Sequence, residues 1–223
     1  MPPNTYIQRA QRVIGAHRML SHFWPLQRDR ERLSAARARA ASLPLGSGAI
    51  AGSAFPIARA RLAKSLGFSS ISQNSIDAVG DRDVVAERLL TLSLLGAHLS
   101  GLAEDLILFG SSEFAFVRYG DAFSTGSSMM PQKRNPDALE LARGSSARML
   151  GDLVALLATI KGLPSGYNKD LQEDKRTLFD AADGMTLLLP AVTGSLEALT
   201  FDTDRMKAAV SSTMMATDLA AYL

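Results

Sequence analysis

The chain contains no cysteine, which excludes disulfides and thiolate metal sites. Aromatic residues make up only 6% of it, and no strand-like alternation of apolar and polar positions appears. These two scarcities predict an all-α chain. Charge of one sign is also scarce. The 24 Lys and Arg stand against 22 Asp and Glu, a net +2, which gives no general case for a nucleic-acid partner. No uncharged apolar run reaches the length of a membrane span; Met185 to Leu196 is apolar but too short. The N-terminus lacks the basic segment and apolar stretch of a secretory signal. The expectation is a cytoplasmic protein with neither membrane nor nucleic acid as partner.

Apolar residues at 47% and charged residues at 21% describe an ordinary globular chain, and 223 residues suffice for one sizeable core. From Asn4 or Thr5, either of which can cap, a helical pattern runs to about Arg39. Ile7, Val13, Ile14, Met19, Leu20, Phe23, Leu26 and Leu33 are spaced for one buried stripe. Pro25 should kink or divide this helix. Its many arginines, from Arg9 to Arg39, read as a solvated face.

Ala41 to Ser53 is a loop punctuated by Gly, Ser and Pro. A short helix is predicted from Pro56 to Leu66, ended by Gly67, with irregular chain from there to Gly80. Asp81 opens a long helix to about Ser111. It is apolar on more than one side, which predicts a place in the middle of a bundle. Glu113 to Ser124 is a connection with room for a short extended piece.

Pro136 to about Ile160 is the next helix, with Asn135 as its N-cap and Asp137 complementing its dipole. Gly162 to Asn168 breaks it. Asp170 and Glu173 have capping-box spacing and start a helix to Leu199, with Pro190 as a kink. Asp202 caps a short helix to about Val210, and Met214 to Leu223 is helical again. The predicted fold class is all-α: an elongated bundle of long helices, with so much Leu on so many faces that further burial between subunits is expected.

One stretch is rich in chemistry. Ser124 to Asn135 reads STGSSMMPQKRN. Gly126, Ser127 and Ser128 give a hydroxyl-rich turn with exposed N–H groups, and Lys133 and Arg134 bring positive charge. The stretch leads into the electropositive start of a helix, an arrangement suited to holding an anion.

Gly126 to Pro136 resembles the signature of the fumarase/aspartase superfamily. Tyr167 to Lys175, YNKDLQEDK, narrows the resemblance to the argininosuccinate lyase and delta-crystallin family. Gln8 to Gln11, Leu43 to Ala49 and Ala103 to Ile107 are similar too. The resemblance covers essentially the whole chain but only part of the family's. It implies that residues 1–211 are the central helical domain, that residues 212–223 begin a truncated C-terminal domain, and that the N-terminal domain is absent.

That family cleaves argininosuccinate reversibly to arginine and fumarate by β-elimination, in arginine biosynthesis. The resemblance implies a homotetramer with sites shared between subunits, and neither cofactor nor metal. A proton leaves the carbon beside a carboxylate, so the reaction needs a base and stabilisation of developing negative charge. By resemblance Ser127 is the catalytic hydroxyl, Lys133 faces the carbanion's carboxylate, and Asn135 hydrogen-bonds substrate. Tyr167, Gln172 and Lys175 match substrate-binding positions, as does Thr5. Glu140 matches the carboxylate that pairs with the catalytic histidine.

The chain departs from the family at that histidine. Met1 to Gln8 reads MPPNTYIQ where the family reads MPGYTHLQ, so Tyr6 takes its place. A phenol with an ordinary pKa near 10 is a poor proton shuttle at neutral pH. His17, His22 and His98 are expected to be structural rather than substitutes. Tyr6 also leaves open a non-catalytic protein of the same descent, crystallin-like or a degraded fragment.

Overall fold

The computed structural model describes residues 1–2 and 4–223. The described chain is built from helices, with only two-residue strands between them. The helices are α1 (Gly15–Arg39), α2 (Arg59–Leu66), α3 (Ser75–Gly80), α4 (Asp83–Gly110), α5 (Asp137–Ile160), α6 (Asp174–Glu197), α7 (Thr203–Ala208) and α8 (Ala216–Tyr222). The all-α expectation holds. The chain divides into two compact units. One comprises residues 1–27, 96–146 and 186–223, the other residues 28–95 and 147–185.

In the first unit the chain start differs from the expected helix. Asn4–Thr5 (β1) pairs antiparallel with Gln8–Arg9 (β2) around Tyr6 and Ile7, whose φ angles are 54° and 61°. Met1 and Val13 exchange main-chain hydrogen bonds, which fold this segment back on itself. Three-and-four spacing needs no helix when the chain turns this way, and Ile7 and Ile14 are exposed.

The first unit's core is Phe109, Phe116, Val117 and Met206, with Phe114, Tyr119 and Leu199 packed against it. Phe109, Phe114 and Phe116 have ring centroids 5.5–6.3 Å apart, at the edge-on and tilted angles that aromatic quadrupoles favour. Val117–Arg118 (β5) pairs with Thr200–Phe201 (β8), so the connecting segment does carry a short extended piece. Asp202 caps α7 by accepting from the Arg205 N–H.

In the second unit, Ser42–Leu43 (β3) pairs parallel with Ser70–Ile71 (β4). Leu43, Leu89, Met149, Leu156 and Leu171 are buried there. The Ser93 hydroxyl donates to the Met149 carbonyl at 2.9 Å, tying α4 to α5. The segment expected to be irregular holds β4 and α3, and the Asn74 side chain caps α3 by accepting from Ile76 and Asp77 N–H groups. α2 starts three residues after Pro56 and ends at Gly67, whose φ of 78° suits glycine.

Pro25 lies inside α1 without dividing it, and Pro190 lies inside α6. Two expected helix signals work differently. The Pro136 carbonyl, not Asn135, accepts the first bond of α5, from Glu140 N–H. Lys169–Glu173 is a 3-10 turn leading into α6 at Asp174, so Asp170 and Glu173 form no capping box. α4 is as expected: Leu89, Leu95, Leu99, Leu102 and Leu106 on it are buried. By length and composition alone α4 would cross a membrane, but this burial explains its apolar character without one. α1 departs: only Asp29 and Ala36 on it are buried, and Leu20, Phe23 and Trp24 are about half exposed.

Gly110 closes α4 against Tyr119. A Cβ there would sit 1.9 Å from the Tyr119 hydroxyl, which donates to the Leu106 and Ile107 carbonyls. Gly110→Ala should expel the ring and lower stability by about 1–3 kcal/mol, seen as a lower urea midpoint.

Candidate active site

Thr125–Gly126 (β6) pairs antiparallel with Arg134–Asn135 (β7), Thr125 opposite Asn135 and Gly126 opposite Arg134. This clasp closes the loop that carries Ser127, Lys133 and Asn135. The Ser127 hydroxyl oxygen accepts from the main-chain N–H groups of Met129 at 3.3 Å and Met130 at 3.2 Å. Lys133 N–H donates to the Met130 carbonyl and tightens the turn. The clasp is reinforced by the Asn135 amide donating to Thr125 Oγ1 and by Arg134 paired with Asp121 at 3.1 Å.

The loop is open to solvent. Met129 is 87% exposed, and Ser128 and Lys133 are exposed while Ser127 is half-buried. Among the described residues the Lys133 ammonium has no hydrogen-bond or ion-pair partner. Two N–H donors on a hydroxyl oxygen favour its alkoxide over its neutral form.

Glu140 lies one turn into α5, exposed, with Arg143 at 3.8 Å. Arg143 also forms a close ion pair with Glu104. That hydrogen bond is the main reason its guanidinium holds its proton more tightly than usual, with Glu140 adding a little. The arginine was not foreseen; its signal is the i, i+3 spacing from Glu140. His22 Nε2 donates to Asp105 Oδ2 at 2.8 Å, beside Arg18 at 2.6 Å, which is the structural role expected of it. Burial alone would raise the Asp105 carboxyl, but His22 and Arg18 together hold it below the usual range.

Thr5 and Tyr6 lie on the N-terminal hairpin of the same unit, and Tyr6 is 97% exposed. Tyr167, Gln172 and Lys175 belong to the second unit. Tyr167 is about half exposed. Gln172 ends in the 3-10 turn and Lys175 sits in the first turn of α6, both exposed. Lys175 Nζ donates to Asp174 Oδ1 at 3.0 Å.

Tyr119 senses the Glu140 charge. Burial first, and Glu140 second, push its phenol up to about 12. A raised phenol is neutral in the fold, so it stabilises the protein below about pH 10 and that contribution fades as pH rises toward 12. In Glu140→Gln the Tyr119 midpoint should fall while staying above the ordinary value, since burial remains. Phenolate absorbance, assigned by subtracting Tyr119→Phe, measures this.

Comparison with known proteins adds descent to this geometry. The pattern of a family described as lyase matches residues 1–151. The chain is 58% identical over all its 223 residues to the argininosuccinate lyase of Roseiflexus sp. strain RS-1, covering 49% of that relative. It is 56% identical over 220 residues to that of Herpetosiphon aurantiacus, covering 99% of this chain and 48% of the relative. A crystal structure of EDDS lyase with formate superposes with a TM-score of 0.86 at 30% identity, over 98% of this chain and 44% of that one. The 3-carboxy-cis,cis-muconate lactonizing enzyme of Pseudomonas putida gives 0.84 at 25% identity, over 99% of this chain and 50% of that one. The chain spans about half the length of the curated relatives it matches. By its matched pattern and by its identity to argininosuccinate lyases along the whole chain, it belongs to the lyase family.

Proposed function

We propose that the assembled protein is an argininosuccinate lyase, cleaving argininosuccinate to arginine and fumarate. The observation that carries this is the Ser127 oxygen held by two main-chain N–H groups in a loop that also presents the unpaired Lys133. Ser127, as alkoxide, takes the proton beside the substrate carboxylate. The electron pair delocalises into that carboxylate, and the C–N bond then breaks to give fumarate. Lys133 stabilises the extra negative charge. A charge pair at about 4 Å and an effective dielectric near 20 contributes roughly 4 kcal/mol, or about three powers of ten in rate.

Asn135 binds substrate from the clasp, and Thr5, Tyr167, Gln172 and Lys175 complete the substrate contacts. Glu140 supplies the carboxylate that in the family orients a histidine. Here Tyr6 stands in that place, so proton return to the leaving nitrogen is the step this chain is least equipped for. The site is completed across subunits of a homotetramer in the cytoplasm. The half-exposed Phe23, Trp24, Leu150, Val154 and Leu157 on α1 and α5 support burial between copies. A variant EDDS lyase solved with bound fumarate, 29% identical to this chain, supports the product assignment. Tyr6 is the residue that speaks for the non-catalytic alternative.

The assembled protein should release fumarate from argininosuccinate, followed by ultraviolet absorbance. Ser127→Ala should lower kcat by about a thousandfold, within the range for losing a general base. Lys133→Met should cost about as much, and Tyr6→His should raise turnover. Full activity in Ser127→Ala would end the assignment of the base. Absence of fumarate from both the parent and Tyr6→His would end the lyase reading.

A further inference from the structure

The segment carrying Gln172 and Lys175 is held by a buried ion pair. Arg82 Nε lies 2.6 Å from Asp174 Oδ2, with the two side chains 15% and 9% exposed. Arg82 sits at the entry to α4, where its carbonyl accepts from the N–H groups of Val85 and Ala86. Its guanidinium also donates to the Asp81 carbonyl at 2.6 Å. Asp174 is the first residue of α6, and its carbonyl accepts from the Thr177 hydroxyl. Nearby, Gly80 meets Gly166, the neighbour of Tyr167, so closely that a Cβ on Gly80 would lie 2.9 Å from the Gly166 carbonyl oxygen. The chain just before α4 thus braces the segment from Gly166 to Lys175 at two points.

The charges decide what this brace does. Asp174 has two neighbours of opposite sign, Arg82 on Oδ2 and Lys175 on Oδ1. Arg82 and Asp174 cancel, which leaves the cluster with the single positive charge of Lys175, whose side chain is 64% exposed. Without Arg82, the carboxylate would have only Lys175 to neutralise it. The ammonium would then be held inward, since leaving a buried charge unpaired is strongly unfavourable. We propose that Arg82 is a positioning residue for the Gln172–Lys175 face: by holding the Asp174 carboxylate it keeps the Lys175 ammonium available to an anionic substrate. The inference rests on the lyase reading for the identity of that anion and on the ion-pair geometry alone for its effect on Lys175.

Two measurements test it, one without turnover. Competitive acylation of the lysines in the assembled protein, read peptide by peptide by mass spectrometry, should slow severalfold at Lys175 in Arg82→Gln. The other lysines should be unaffected. Arg82→Lys, which keeps the charge, should recover much of the rate. Unchanged labelling of Lys175 in folded Arg82→Gln would overturn the proposal whatever the activity.

In turnover, Arg82→Gln should raise KM for argininosuccinate about tenfold and leave kcat within about threefold. A purely structural pair would lower the folded fraction and leave KM alone. If Arg82→Gln does not fold, the charge-free pair Arg82→Met with Asp174→Leu serves instead, because such replacements often preserve stability. With no carboxylate beside it, Lys175 should then label at least as fast as in the parent; slower labelling there would count against the proposal. Slowed labelling in Arg82→Gln from a parent that makes no fumarate would support the ion-pair role while refuting the lyase reading.

Discussion

The pairing of Thr125–Gly126 with Arg134–Asn135 is the constraint on which the site depends. A loop of seven residues between long helices has many conformations, and fixing each residue costs about 1–2 kcal/mol. Joining its ends through a two-residue ladder, with the Asn135 amide and the Arg134–Asp121 pair behind it, removes most of that freedom in advance. What remains inside is a turn tight enough for two N–H groups to reach one hydroxyl oxygen. Preorganised donors of this kind stabilise developing charge without reorganising during the reaction.

The long helices were legible because their signal is redundant. α4 has apolar residues on several sides, and its ends are set by Asp81, whose carboxylate accepts from Asp83 N–H, and by the Gly110–Tyr119 contact. The caps at Asp202 and Gly67 were legible for the same local reason. The N-terminal hairpin was not. Its turn uses Tyr6 and Ile7 at positive φ, where asparagine or glycine would have signalled it, and an apolar spacing of three and four reads as helix. Asn135 misled differently: a residue suited to capping is spent on the ladder, and the helix starts one residue later, with its first main-chain bond made to the Pro136 carbonyl.

Of the candidate site, the loop was legible as a motif and its geometry was not. The sequence orders Ser127, Lys133 and Asn135 and points to loop N–H groups as donors, but only coordinates single out those of Met129 and Met130. Arg82 and Asp174 were invisible for a further reason. They lie 92 positions apart by number, and a pairing at that separation leaves no mark on local pattern. The apolar stripe of α1 carries a different lesson: spacing marks which positions are apolar but not what covers them, and Leu20 and Phe23 are about half exposed in a single chain.

The donors to Ser127 belong to the backbone of Met129 and Met130, and Met129 turns its side chain almost wholly to solvent. The loop's chemistry is therefore decoupled from much of its own spelling. Position 129 is free to drift through any residue that tolerates the same turn, and lineages can differ there without losing the oxygen's two contacts. Tolerance should end abruptly at one kind of change: proline at 129 or 130 deletes the donor itself.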